Sequence, residues 1–279
     1  MWQESYNGNA TLYLVPTPIG NLQDMTFRAI DTLKEVDVIF CEDTRVTILL
    51  LNYFNIKKKL ISLHDHNEIV VKEKLLNLLK EGKNVAIVTD RGTPIISDPG
   101  YKTVCYVYEN GYNVVALPGA CAFVPAIVAS GISCEHFLFY GFLNSNASKR
   151  RSELKLLENF EQAIIFYEAP HRLKKTLNDI LDVFGDRTVS LSREISKKHE
   201  CIFRGRLNNL LNEIDEIKGE IVLVVEGNLG DDDYSDMSSI ELVDYYISNG
   251  YSVMEAIKKA AKDKKMAKGE VYKEYHNKK

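Results

Sequence analysis

Residues 84–100 read NVAIVTDRGTPIISDPG. Val85 to Val88 is an uninterrupted apolar run, and the twelve residues after it hold two Asp, two Gly and two Pro. A buried strand that stops this abruptly, into turn-formers and carboxylates, reads as a strand end that receives a small ligand.

Working outward, strand-like runs recur at LYLV (12–15), VDVIF (36–40), KLISL (59–63) and NVVAL (113–117). Between them lie TFRAIDTLKE, RVTILLLNYF, NEIVVKEKLLNLLKEG and YKTVCYVYENG, whose apolar residues fall three and four apart, as on a helix. Gly82 and Gly111 each follow a helical run and precede a strand, where helix-ending glycines belong. Continuous apolar strands alternating with helices predict a mostly parallel sheet covered on both faces. Later strand-like runs (FLFYGF at 137–142, AIIFYEA at 163–169, TVSLSRE at 188–194, CIFRG at 201–205, EIVLVVEG at 220–227) are richer in aromatic and polar residues. SREISKKHECIFRGR has little room for a helix, so antiparallel pairing and a mixed second sheet are expected. The expected division is an N-terminal α/β lobe (1–117), a C-terminal α/β lobe (118–229) and a helical basic tail (230–279), the last boundary falling in GNLGDDDYSD.

The chain has 279 residues, 45% hydrophobic and 27% charged, the balance of a soluble globular protein. No apolar run approaches the roughly 20 residues that span a bilayer, and MWQESYNGNA has no signal-peptide pattern, so a cytoplasmic location is the expectation. The five Cys are scattered without a C-x-x-C pair and read as reduced thiols rather than a metal or disulfide framework. The HDH triplet at 64–66 is a weak metal pattern. Net charge is −4, but residues 251–279 hold nine Lys against four acids, a local +5 that leaves −9 elsewhere. Such segregation fits either a basic arm for a polyanion or a solvated helical tail.

Three other polar loops follow strands: PTPIGN (16–21), CEDTR (41–45) and PGACA (118–122). In an open parallel sheet these loops converge outside the carboxyl ends of the strands. The chain lacks the P-loop, the dinucleotide-binding G-x-G-x-x-G and the G-x-S-x-G nucleophile elbow. Carboxylates, amides and hydroxyls with few cations suit ribose hydroxyls, an adenine and an ammonium better than a triphosphate. Asp24 and Asp98 read as helix caps, whereas Asp90, directly at a strand end, reads as a ligand contact.

LYLVPTPIGNLQDMTFRAIDTLKEVDVIFCEDTR, LHDHNE, VTDRGTPIISDPGY, FYEAPHR and SREISKKHE, in this order, closely resemble the ribosomal small-subunit RNA methyltransferase I family, over about residues 11–227. The resemblance implies the two-lobed tetrapyrrole-methylase fold, S-adenosylmethionine held between the lobes without a metal, a homodimer, and 2′-O-methylation of a cytidine in the decoding region of small-subunit (16S) rRNA. It also implies that Pro18, Asp90, Gly92, Thr93, Ala120 and Cys121 surround the cofactor. Arg91 stands where the family commonly has a small residue, and PGACA replaces the more usual PGPSA. An arginine beside a sulfonium is expected to turn away or to meet Asp98 or Glu42. For methyl transfer to a hydroxyl, the candidate catalytic residues are Glu42, Arg45, Glu168, His171 and Glu194, with Arg172, Arg193 and Lys197 as candidate RNA contacts. Glu42 to Arg45 reads equally as a helix start, and Pro170 as a helix beginning. The substrate is naked rRNA or an assembled small subunit. The alternatives are a tetrapyrrole methyltransferase of the same fold and a non-catalytic rRNA-binding assembly factor.

Overall fold

The computed structural model describes residues 2–64, 66–214, 217–229, 237–264 and 266–277. It forms two units, Met1–Gly227 and Asn228–Lys279. His64 and His66 of the HDH triplet lie within the described residues, and Asp65 lies outside them.

The first sheet of the larger unit holds β1 (Thr11–Leu14), β2 (Val38–Cys41), β3 (Lys59–Ser62), β4 (Val85–Val88) and β5 (Asn113–Ala116) in the order β3-β2-β4-β1-β5. Every pairing in it is parallel. Helices cover both faces, which is why the strands are apolar on alternate and intervening positions alike. On one face Leu33 of α1 (Phe27–Glu35) and Leu51 of α2 (Thr44–Tyr53) pack with Val15, Ile39 and Ala86. On the other, Leu75 and Leu79 of α3 (Glu68–Lys80) and Val107 of α4 (Tyr101–Glu109) pack with Leu12, Phe40 and Ile87. Gly82 and Gly111 follow α3 and α4 with φ +79 and +81, the left-handed turn that glycine makes without Cβ strain. Thr26 caps α1, its hydroxyl accepting the Ala29 N–H at 3.0 Å, and Gly100 precedes α4 with no side-chain cap. Asp24 is therefore not the cap of α1 that the sequence indicated.

The second sheet runs β6 (Phe137–Phe142), β7 (Ala163–Glu168), β10 (Ile221–Val225), β8 (Thr188–Arg193) and β9 (Cys201–Arg206). Only β6 and β7 pair in parallel among these described strands. One face packs on α6 (Ala147–Leu157), α7 (Leu173–Phe184) and α8 (Leu207–Glu213) through Leu154, Ile180, Leu210, Phe166 and Leu223. The other packs on α5 (Phe123–Val128) through Ile127, Ile165 and Val224. The smaller unit has its own core of Leu242, Tyr246, Ile257 and Val271 from α9 (Ser239–Ser248), α10 (Val253–Asp263) and α11 (Lys268–Asn277). Ser238 with Glu241, and Ser252 with Glu255, form capping boxes at the starts of α9 and α10.

Where the loops after β1 and β5 meet, a Cβ on Gly119 would lie 2.6 Å from Pro16 Cβ. A proline ring cannot rotate aside, so Gly119→Ala should cost about 1–3 kcal/mol by overpacking. Urea unfolding should show a lower midpoint with an unchanged denaturant slope.

Candidate active-site cleft

The loop after β4 is the junction of the strand-end loops. Thr17 N–H donates to Gly92 O at 2.9 Å and Gly92 N–H to Thr17 O at 3.0 Å, which joins it to the loop after β1. Thr93 Oγ1 donates to Ala120 O at 3.0 Å, which joins it to the loop after β5. Asp43 N–H donates to Asp90 Oδ1 at 3.1 Å and Thr89 Oγ1 to Glu42 Oε2 at 3.2 Å, which joins it to the loop after β2. Ile95 (φ 75) and Ser97 (φ 65) sit in the left-handed region alongside Gly92 (φ 84). A β-branched residue there is strained, and such strain concentrates at functional sites.

Within this unit a cavity of about 390 Å³ lies between the two sheets, inside the range of small-ligand sites. The first lobe contributes Ile19, Gly92, Thr93 and Ile96, with Cys121 from the loop after β5. The second contributes Phe142, Tyr167, Glu168, Ile195 and Val222. An ionic latch crosses beside it. Arg91 pairs with Glu220, and Lys197 Nζ contacts Glu220 Oε2 at 2.9 Å and Glu194 Oε1 at 2.7 Å. Lys197 also lies so close to Gly20 that a Cβ there would be 2.3 Å from its Cγ. Ser196 donates to the Asp24 carboxylate, which gives Asp24 a lobe-to-lobe role in place of a cap. Arg91 is thus met by Glu220 from the second lobe.

The lining includes the carboxylates Asp98, Glu168 and Glu220. Glu168 is paired with Arg172 through Oε1 while its buried Oε2 has no partner, and Glu220 is paired with Arg91 and Lys197. With isoleucine and valine around it, the unpartnered Glu168 oxygen suits a ligand that brings a hydrogen-bond donor and apolar surface. Burial holds the Asp90 carboxyl above its ordinary value, with Glu42 and Asp43 adding repulsion against the opposing Asp43 N–H bond. Burial likewise pushes up the Tyr167 phenol, and the neighbouring Cys121 adds to the rise. Among the described residues no group of three His, Cys, Asp or Glu is placed to hold a metal ion.

Of the expected residues, Gly92, Thr93, Cys121 and Glu168 line the cavity. Ala120 adjoins it through the Thr93 bond, and Pro18 is buried between Thr17 and the cavity-lining Ile19. Asp90 and Glu42 sit together at the carboxyl edge, one step away from the lining. Arg45 points outward, 88% exposed, and pairs with Asp43, the cap of α2. Pro170 begins the short turn Pro170–Arg172 ahead of α7, and His171 is exposed. Arg172 is turned inward, paired with Glu168 and donating to Leu143 O at 3.0 Å. Lys197 and Glu194 belong to the latch. Arg193 is half-buried, its Nε without a partner. Sequence reasoning passed over Glu220, Tyr167 and Phe142, whose polar or aromatic character at the ends of otherwise apolar strands was the available signal.

The profile of the tetrapyrrole (corrin/porphyrin) methylases matches residues 11–211. The ribosomal RNA small subunit methyltransferase I of Bacillus subtilis strain 168 is 47% identical, covering 98% of each chain. That of Escherichia coli O157:H7 is also 47% identical, over 81% of each. Among solved structures, uroporphyrin-III-C-methyltransferase from Thermus thermophilus superposes with a TM-score of 0.56 at 20% identity, covering 80% of this chain and 96% of that one. Diphthine synthase gives 0.58 at 12%, covering 78% and 90%. At these identities the two structures speak for the fold alone.

The neighbouring carboxyls Asp43 and Asp90 should titrate on opposite sides of the ordinary aspartate value. Hydrogen bonds from Arg45 lower Asp43 from 3.8 to about 2, and burial raises Asp90 above 3.8. The Asp43 cap then stabilises α2 fully above its unfolded value and loses that contribution as pH falls through about 2. Carboxyl-carbon NMR should resolve the two titrations, and Arg45→Ala should return Asp43 toward 3.8.

Proposed function

The chain belongs to the ribosomal RNA small subunit methyltransferase I family of the tetrapyrrole methylases, and from that premise we propose that its cleft methylates the ribose 2′-hydroxyl of a cytidine in the decoding region of small-subunit rRNA. The observation that carries the reading is the mixed polar and apolar cavity against the carboxyl edge of a parallel sheet. S-adenosylmethionine, the donor in this class, fits that lining and supplies an electrophilic methyl group on a sulfonium when bound.

The residues of the chain bind, orient and move the proton. Gly92 and Thr93 hold the junction loop against its neighbours, and Asp90, Pro18, Ala120 and Cys121 complete the cofactor side. The attacking 2′-hydroxyl must lose its proton. Glu168 and Glu194 are tied to Arg172 and Lys197, whereas Glu42 is held by the neutral Thr89 hydroxyl, so we assign Glu42 as the acceptor. Arg45 is exposed at the same edge and is assigned to a phosphate, which a guanidinium can bind bidentately. Arg193 and His171 complete the RNA side of this assignment, and Arg172 and Lys197 support it from within the cleft walls.

The lysine-rich helices after residue 250 are assigned to the RNA backbone. Pairing with a second copy belongs to the same proposal, and Ile48, Leu49 and Tyr53 on α2 are exposed and apolar, available for it. No described helix is long and apolar enough to cross a membrane; a cytoplasmic setting is proposed with the substrate.

Asp90→Asn should weaken S-adenosylmethionine binding at least ten-fold by calorimetry. It should also raise the melting temperature of the ligand-free protein, because it removes a carboxylate whose charge burial disfavours. Unchanged affinity in the folded variant would take Asp90 out of the site. Truncation after Gly227 should leave cofactor affinity intact and lower methyl transfer to hypomethylated small subunits at physiological salt. Full transfer by the truncated chain would make the helices a solvated appendage.

A further inference from the structure

Strand β6 changes face partway along. Leu138 and Tyr140 pack on the core shared with α6 and α7, and Phe139 packs on the opposite, α5-side face. Strict alternation would then send Phe142 into the core and Leu143 to the α5 side. The register against β7 instead shifts between Phe139 and Gly141, so that Gly141 opposes Phe166 and Phe142 opposes Tyr167. Gly141 takes φ +82, which a side chain would strain. The extra residue inverts the pattern: Leu143 is 2% exposed in the core, and Phe142 is 53% exposed on the cavity wall. A fold that only filled its core would have buried the larger ring. Bulges beside active sites commonly re-aim one side chain in this way.

The re-aimed ring is braced. Phe142 meets Tyr167 at 5.5 Å between centroids in an edge-on arrangement, and Phe139 meets Tyr167 at 5.0 Å. Tyr167 is held in the α5-side cluster, packed with Phe123 and Phe139. The backbone just after Phe142 is fixed by Arg172 donating to Leu143 O, and Arg172 is itself held by Glu168. A rigid aromatic ring, half exposed at a cavity wall, presents a stacking surface for another planar ring.

We propose that Phe142, braced by Tyr167, is the platform on which the base of the target cytidine stacks once that nucleotide is splayed out of its strand. The inference rests on the RNA-methylation reading above and adds to it a residue that positions the substrate. Sequence-specific RNA recognition draws on unstacked bases laid against aromatic side chains. A ribose hydroxyl is delivered to a cleft only if its base is held, and stacking holds the base without engaging the hydroxyl.

The test uses full-length Phe142→Ala and Phe142→Trp. Methyl transfer to hypomethylated small subunits should fall roughly ten-fold or more in kcat/KM for the alanine variant, as base–aromatic truncations do. Its S-adenosylmethionine Kd should stay within two-fold of wild type. The tryptophan variant should recover most of the activity. Its added emission, read against the single natural Trp2, should be quenched by a cytidine-containing RNA of the decoding-region sequence. An alanine variant within two-fold of wild type, an unquenched tryptophan, or a cofactor Kd that rises in step with the lost activity would overturn the proposal, the last by giving the ring to the donor's adenine. A wild-type protein that transfers no methyl to rRNA would overturn the underlying reading as well, whereas an active wild type with an indifferent alanine variant overturns this inference alone.

Discussion

Parallel strands all end on the same edge, and the short β4 must hand its chain directly into a loop there. That loop is held by its neighbours: Gly92 exchanges two backbone hydrogen bonds with Thr17, Thr93 bonds Ala120, and Asp90 accepts from Asp43. Each bond crosses between loops distant in sequence, so the four strand ends set one another's positions. The strained left-handed conformations at Ile95 and Ser97 persist inside this mutual constraint. A catalytic surface on loops needs such support, because loops without it would not hold a ligand to within a fraction of an ångström.

The second lobe closes the cleft by other means. Its contacts to the first include the Arg91–Glu220 ion pair, the Lys197 stem packed across Gly20 and the hydrogen bond from Ser196 to Asp24. Exposed pairs of this kind are worth only a few tenths to about 1 kcal/mol each, so the latch sets geometry and charge more than stability. By pairing with Glu220, Arg91 keeps a positive head from facing the cavity unaccompanied. By pairing with Glu168, Arg172 holds together the strand ends of β6 and β7 that carry the aromatic wall.

Much of this was legible in the chain. The strands of both sheets, the parallel character of the first and the antiparallel turn-back after SREISKKHE follow from hydrophobic period and turn chemistry, which are local properties. So does the clustering of polar loops at one edge. The fate of the charges was not legible. Arg91 and Glu220 are 129 residues apart, and no local pattern announces such a pair. Arg172 and Lys197 looked like surface cations, but ion pairs with Glu168, Glu194 and Glu220 draw them inward. Asp24 matched the composition of a cap, but Thr26 occupies the position from which the cap of α1 acts. The bulge at Gly141 was hidden because FLFYGF reads as a plain strand in either register, and only pairing with β7 decides which aromatic faces the cleft.

The central claim is that this cleft delivers a methyl group to a ribose hydroxyl of cytidine. Nucleoside mass spectrometry of rRNA from hypomethylated small subunits, after incubation with the purified chain and S-adenosylmethionine, tests it most directly. One new 2′-O-methylcytidine in the decoding region, with the added mass on the ribose fragment, is the expected product. A methyl on the base fragment, or no added methyl at all, would contradict it.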